Sequence, residues 1–108
     1  MVMSESEFMA AAGRTLDAIE AAVDACDTDI DLTRAGNVLT LELADGSRIV
    51  VNSQSPMRQI WVAARSGGFH YEWRDGAWRD TRDGTELFAA LSRLASAQGG
   101  APVLLRAG

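Results

Sequence analysis

The stretch Asn37-Val-Leu-Thr-Leu-Glu-Leu-Ala-Asp-Gly-Ser-Arg-Ile-Val-Val51 decides the fold. Leu39, Leu41 and Leu43 alternate with Thr40 and Glu42, a period of two that gives a strand one apolar face. Asp45-Gly46 then reads as a type I′ hairpin turn, and Arg48-Ile-Val-Val51 returns as the partner strand. The chain repeats this device downstream. Gln59-Ile-Trp-Val-Ala-Ala-Arg65 reads as a third strand, Gly67-Gly68 as a turn, Phe69-His-Tyr-Glu-Trp73 as a fourth strand, Asp75-Gly76 as a tight turn and Ala77-Trp-Arg79 as a short fifth strand. Connections this short leave no room for crossovers, so the sheet is antiparallel.

Helical signals flank the strands. Ser4 and Glu7 form a capping box, and Phe8, Ala12, Leu16, Ile19, Val23 and Cys26 follow at spacings of four, four, three, four and three. Near the other end, Asp83 with Glu86 opens a second helix. Leu87, Phe88, Leu91, Leu94 and Ala95 form its apolar stripe, and Gly99-Gly100 stops it. The tail Ala101-Pro-Val-Leu-Leu105 is apolar enough to pack back on the molecule. Two amphipathic helices and a sheet with one apolar face predict an α+β two-layer sandwich. Both helices lie on one face of a five- to six-stranded antiparallel sheet, and residues 1–108 form a single domain.

Composition narrows the functional classes. With 47% hydrophobic residues in 108, the chain supports one core. No apolar run approaches the roughly 20 residues of a membrane span, and the start lacks a signal peptide's basic and apolar segments, which predicts a soluble cytoplasmic protein. A single cysteine, Cys26, excludes an internal disulfide and cysteine-rich zinc or cluster sites. The net charge of −5 is polarised: residues 1–45 hold ten acids and two arginines, residues 46–108 five acids and eight arginines. An acidic front half in a chain without lysine argues against nucleic acid as partner.

Between Arg14 and Arg34 stand Asp17, Glu20, Asp24, Asp27, Asp29 and Asp31 with no basic residue among them. The first four recur at helical spacing, each one position after the apolar stripe, about 100° round the helix. Like charges at this spacing cost a helix roughly 0.2–0.5 kcal/mol per pair. A row that local stability disfavours is the first candidate for function, as a site for cations or a basic partner. Asp27-x-Asp29-x-Asp31 is not a calcium-binding EF-hand loop, because its sixth position is Leu32 instead of glycine and its twelfth Val38 instead of glutamate. What remains is a set of hard oxygen donors without a cage.

Strand parity supplies the second candidate. Ile60, Val62 and Ala64 suit the helix-covered face, so Gln59, Trp61 and Arg65 point the other way and Trp61 is expected to be exposed, as an interface anchor. Parity also sends Phe69, Tyr71 and Trp73 to the core, with His70 left as a surface histidine. Cys26 completes the helix stripe as a small apolar residue. One histidine, no phosphate loop, no nucleophile elbow and no paired acid and base leave no conventional active site.

Asn52-Ser-Gln54-Ser-Pro56, Gln59-Ile-Trp61 and Gly67-Gly-Phe-His70 together resemble the frataxin family in its bacterial branch. Ser6-Glu7-Phe8, Ile19-Glu20, the Asp27-to-Asp31 cluster, Gly36-Asn-Val-Leu-Thr40 and Trp78-x-Asp80-x-Arg82-x-Gly84 extend the match over almost the whole chain. The resemblance implies an iron-binding regulator or iron donor in iron–sulfur cluster assembly, without enzymatic activity. Weak ferrous and ferric binding falls on Asp17, Glu20, Asp24, Asp27, Asp29 and Asp31. Contact with a cysteine desulfurase, with the scaffold protein nearby, falls on Asn52, Gln54, Gln59 and Trp61. No membrane or nucleic acid partner and a monomeric state are expected. Met9 stands where bacterial members often place a histidine. A metal-independent acidic protein–protein modulator fits the residues almost as well, and an iron titration separates the two.

Overall fold

In the computed structural model, which describes residues 3–106, Ser4 caps the first helix as the sequence predicts. Its side chain accepts from the Glu7 amide at 3.1 Å, and the Glu7 carboxylate accepts from the Ser4 amide at 2.9 Å. The Ser4 amide, and after it the Ser4 hydroxyl, hold the Glu7 carboxyl below its ordinary pKa. Helix α1 spans Glu5–Ala25 and buries Phe8, Ala12, Leu16, Ile19 and Val23. Cys26 is its C-cap, half-buried, with its thiol donating to the Thr28 carbonyl at 3.6 Å.

Six strands follow: β1 (Asp31–Ala35), β2 (Val38–Glu42), β3 (Arg48–Gln54), β4 (Gln59–Ala64), β5 (Gly67–Arg74) and β6 (Ala77–Asp80). They pair antiparallel in sequence order, a pure meander with β1 and β6 at its edges. Helix α2 (Leu87–Gly99) joins α1 on one face, the two-layer sandwich that patterning predicts. Leu39, Leu41, Ile49, Val51, Ile60, Val62 and Tyr71 form the buried face beneath the helices. The apolar tail packs along α2. Ser92 Oγ accepts from the Leu105 amide at 2.8 Å, Ser96 Oγ accepts from the Val103 amide at 2.9 Å, and both apolar side chains are buried.

Several details depart from the sequence reading. Strand β1 was not foreseen, because Asp31-Leu-Thr-Arg-Ala35 carries only one large apolar residue and so lacks a visible period. Asp45-Gly46 is not a type I′ turn. Gly46 has φ +85° and Asp45 is not left-handed, and the Gly46 amide donates to the Leu43 carbonyl at 2.9 Å. The Asp45 carboxylate accepts from the Ser47 amide and hydroxyl, which holds this residue in an ordinary turn conformation and lowers its pKa. Asp75-Gly76, with φ +54° and +78°, does have the two left-handed residues of a type I′ turn. Gly67-Gly68 belongs to β5, and the turn before it is Arg65-Ser66, since Ala64 pairs with Gly67. Helix α2 is capped by Glu86, whose carboxylate accepts from the Phe88 and Ala89 amides. Asp83 instead closes the preceding turn onto the Thr85 amide.

Trp73 corrects a further expectation. It shares the parity of Tyr71, but the β4–β5 pairing ends at Gln59 and Glu72, so no β4 residue flanks it, and Trp73 is 44% exposed with its ring 5.4 Å from that of Trp78. Trp78, 4% exposed, is the core tryptophan. It donates to Thr15 Oγ at 2.8 Å and meets Phe8 edge-on at 5.9 Å. Among the described residues no helix is long and apolar enough to cross a membrane.

Candidate functional site

The carboxylates anticipated as a row form a ridge that begins on α1 and continues into β1. Asp17 and Asp24 are exposed and Glu20 half-buried, because each follows a buried residue of the α1 stripe. The extended conformation of Cys26, φ −82° and ψ 154°, ends the helix and carries exposed Asp27 and Asp29 through the loop to Asp31. No basic residue occupies the last turn of α1, so its C-terminal dipole adds to the negative field.

The ridge is not wholly without a counter-charge, contrary to the sequence reading. Alternation along β1 places Leu32 and Arg34 on the helix side of the sheet. Arg34 Nη1 donates to Asp17 Oδ1 at 2.5 Å and to Glu20 Oε2 at 2.7 Å. These two hydrogen bonds, Asp17 first, raise the pKa of the guanidinium. Arg34 lies 17 and 14 residues away in sequence. Only the unforeseen strand β1 brings it back. Asp24, Asp27, Asp29 and Asp31 make no ion pair within 4 Å among the described residues.

Glu42 joins the acidic end and was missed. It sits directly across from Asp31 in the β1–β2 register, two like charges on one face of an antiparallel pair. Its alternation with the leucines already pointed outward, and β1 was the lacking half of the signal. Among the described residues no three His, Cys, Asp or Glu side chains converge closely enough to hold a metal ion. The ridge is therefore a string of hard oxygen donors taken one or two at a time, a donor set suited to weak binding of hard cations. Met9 is 59% exposed on α1 and offers only a soft thioether.

The uncovered sheet face is the second part of the site. Register aligns Asn52, Trp61 and His70 across β3, β4 and β5, and Gln54, Gln59 and Glu72 in the next row. Gln54 Nε2 donates to Asn52 Oδ1 at 2.8 Å and Trp61 Nε1 to Gln59 Oε1 at 2.8 Å, so the four side chains named from sequence are held as two bonded pairs. Trp61 points away from the helices as parity requires, yet it is half-buried where exposure was anticipated. The imidazole of His70 stacks on it, ring centres 4.4 Å apart and planes 12° from parallel. His70 thus belongs to the patch. Its position opposite Trp61 follows from register, which sequence alone did not supply. The acidic and aromatic ends share a sheet face. Asp31 lies four positions before Ala35, which neighbours Val38 and through it Asn52, so about 13 Å along the strand and two strand spacings across the sheet, roughly 16 Å in all, separate Asp31 from Asn52.

A two-layer sandwich that leaves one sheet face bare, with a carboxylate ridge along its first helix and edge strand, describes the class of protein. The Frataxin-like domain family model matches residues 1–101. The iron-sulfur cluster assembly protein CyaY of Paraburkholderia xenovorans is 57% identical over 94% of this chain and 96% of its own. That of Cupriavidus taiwanensis is 59% identical over 92% and 93%. Among solved structures, frataxin from Psychromonas ingrahamii superposes with a TM-score of 0.87 at 32% identity, covering 94% of this chain and 97% of that one. Trimeric yeast frataxin complexed with ferrous superposes with a TM-score of 0.66 at 27% identity over 93% and 89%. The chain belongs to the frataxin family.

Proposed function

We propose that this protein serves iron–sulfur cluster assembly as an iron-binding regulator or iron donor. The ridge from Asp17 to Asp31 takes ferrous or ferric ion weakly, and the Asn52–Gln54–Gln59–Trp61 face, with the ridge, docks on a cysteine desulfurase beside the scaffold protein. The observation that carries this reading is the run of exposed carboxylates at Asp24, Asp27, Asp29 and Asp31, without an ion-pair partner among the described residues, beside a pre-organised aromatic and amide face. Relatives named for iron–sulfur cluster assembly and a frataxin crystallised with ferrous support it. A second reading, a metal-independent acidic modulator, is favoured by the lack of any three-residue donor cluster among the described residues.

Anaerobic ferrous titration separates the two. Saturable perturbation of the Asp24 and Asp27–Asp31 amides supports iron binding. A flat response with undiminished desulfurase binding supports the modulator.

A further inference from the structure

We propose that Arg34 is a built-in counter-cation that competes with metal for the Asp17–Glu20 pair. Metal then enters the ridge at its Asp24–Asp31 end and gains the helix pair only by displacing the guanidinium. The proposal rests on the iron-binding reading of the ridge and specifies its regulation.

Three observations carry it. Oxygens of two carboxylates, Asp17 Oδ1 and Glu20 Oε2, converge on one nitrogen, Arg34 Nη1, at 2.5 and 2.7 Å. A divalent cation takes carboxylate oxygens at about 2.0–2.6 Å, so the nitrogen sits close to where such an ion would sit. The pair is therefore already gathered around a cation, and that cation is tethered. Second, β1 fixes the tether: Arg34 pairs with Leu39 in the sheet, and its Nε also reaches the Gly36 carbonyl at 3.4 Å. Attachment to an edge strand keeps the local concentration of guanidinium high without making the contact irreversible. Third, the contact is displaceable on its Asp17 side, where the carboxylate is 70% exposed and such ion pairs are weak, while Glu20 at 33% and Arg34 at 27% are the more firmly held partners. Arginine stays charged at all working pH values, so the guanidinium itself is not a pH switch and the competition is set by metal and salt concentration. The carboxylates downstream have no such competitor among the described residues.

Arg34→Gln is compared with Arg82→Gln, which removes the same charge from an exposed side chain in the turn after β6. Both are titrated with ferrous ion under anaerobic conditions, with amide line broadening as the positional readout. The Arg34 variant should bind about two- to fivefold more tightly than the Arg82 variant, with Asp17 and Glu20 responding together with Asp27–Asp31. In the unaltered protein they should lag behind them. Glu20→Gln should change affinity little in the unaltered protein and reverse the gain in Arg34→Gln. Equal affinity of the two arginine variants overturns the proposal while leaving ridge binding intact. Absence of saturable binding in every variant removes the ridge reading and the proposal with it. Should Arg34→Gln fail to fold, the order of broadening in the unaltered protein decides: Asp17 and Glu20 responding first or simultaneously overturns it.

Discussion

On the helix-covered side of the sheet, Leu39, Ile49, Ile60 and Tyr71 have lost all contact with water, whereas on the ridge Asp24, Asp27, Asp29 and Asp31 stand in solvent and face no cation among the described residues. The first region follows the rules of stability: apolar side chains, short turns and capped helices. The second breaks them, with like charges at helical spacing, an acidic helix C-terminus and Asp31 set directly across from Glu42. The fold supplies enough burial to hold a surface that repels itself. The difference teaches where substitution should damage folding and where it should damage only binding.

The tryptophans test that division most severely. Trp78→Ala removes a buried ring, its bond to Thr15 and its edge contact with Phe8, and should cost about 3–5 kcal/mol in chemical denaturation. Trp73→Ala, at a site nearly half exposed, should cost no more than about 1–1.5 kcal/mol. A larger loss at Trp73 than at Trp78 would break the assignment of core and margin. Trp61→Ala should remove about 2 kcal/mol or more of desulfurase binding and unstack His70, at a folding cost of about 1–1.5 kcal/mol from the lost stack and ring contact, well short of the loss at Trp78. Unfolding, or undiminished binding, would contradict the role of the open face.

Tyr71 offers a smaller effect inside the core. Its hydroxyl is buried with no partner among the described residues, and burial, reinforced by the charge of Asp80, pushes its pKa from 10.0 up to about 12. The folded state thus favours the neutral phenol. That contribution is fully present below pH 10 and is lost as pH rises toward about 12. Tyr71→Phe should leave neutral-pH stability unchanged or raise it by up to about 1 kcal/mol, and should flatten the alkaline decline in melting temperature. An unchanged alkaline slope would assign the decline to another group.

Most of the buried side was legible in the sequence because periodicity records burial directly: the leucines at 39 and 41, the α1 stripe and the capping box all stand where patterning put them. The site was legible in its members and not in its pairings. Nothing local marks Asp31–Ala35 as a strand, since an edge strand with one covered face needs few apolar residues. Without it, Arg34 could not be placed against Asp17 and Glu20, nor Glu42 against Asp31. Register set the other limits. Parity gave Trp61 its side of the sheet, but only the alignment of β4 with β5 puts His70 over its ring. Trp73 has core parity at a position one residue beyond the last β4–β5 pair, where no neighbouring strand covers its side, which alternation alone does not encode.

The central claim is that the open end of the ridge is where metal enters. The most direct measurement is an anaerobic ferrous titration of the triple variant Asp27→Asn, Asp29→Asn and Asp31→Asn beside the unaltered protein, with thermal melts in parallel. The account predicts at least about a tenfold loss of affinity, as expected when negative ligands are removed from a hard-cation site. It also predicts a melting temperature equal to or slightly above the parent's, because like-charge repulsion is relieved. Undiminished ferrous affinity in a folded triple variant would contradict it.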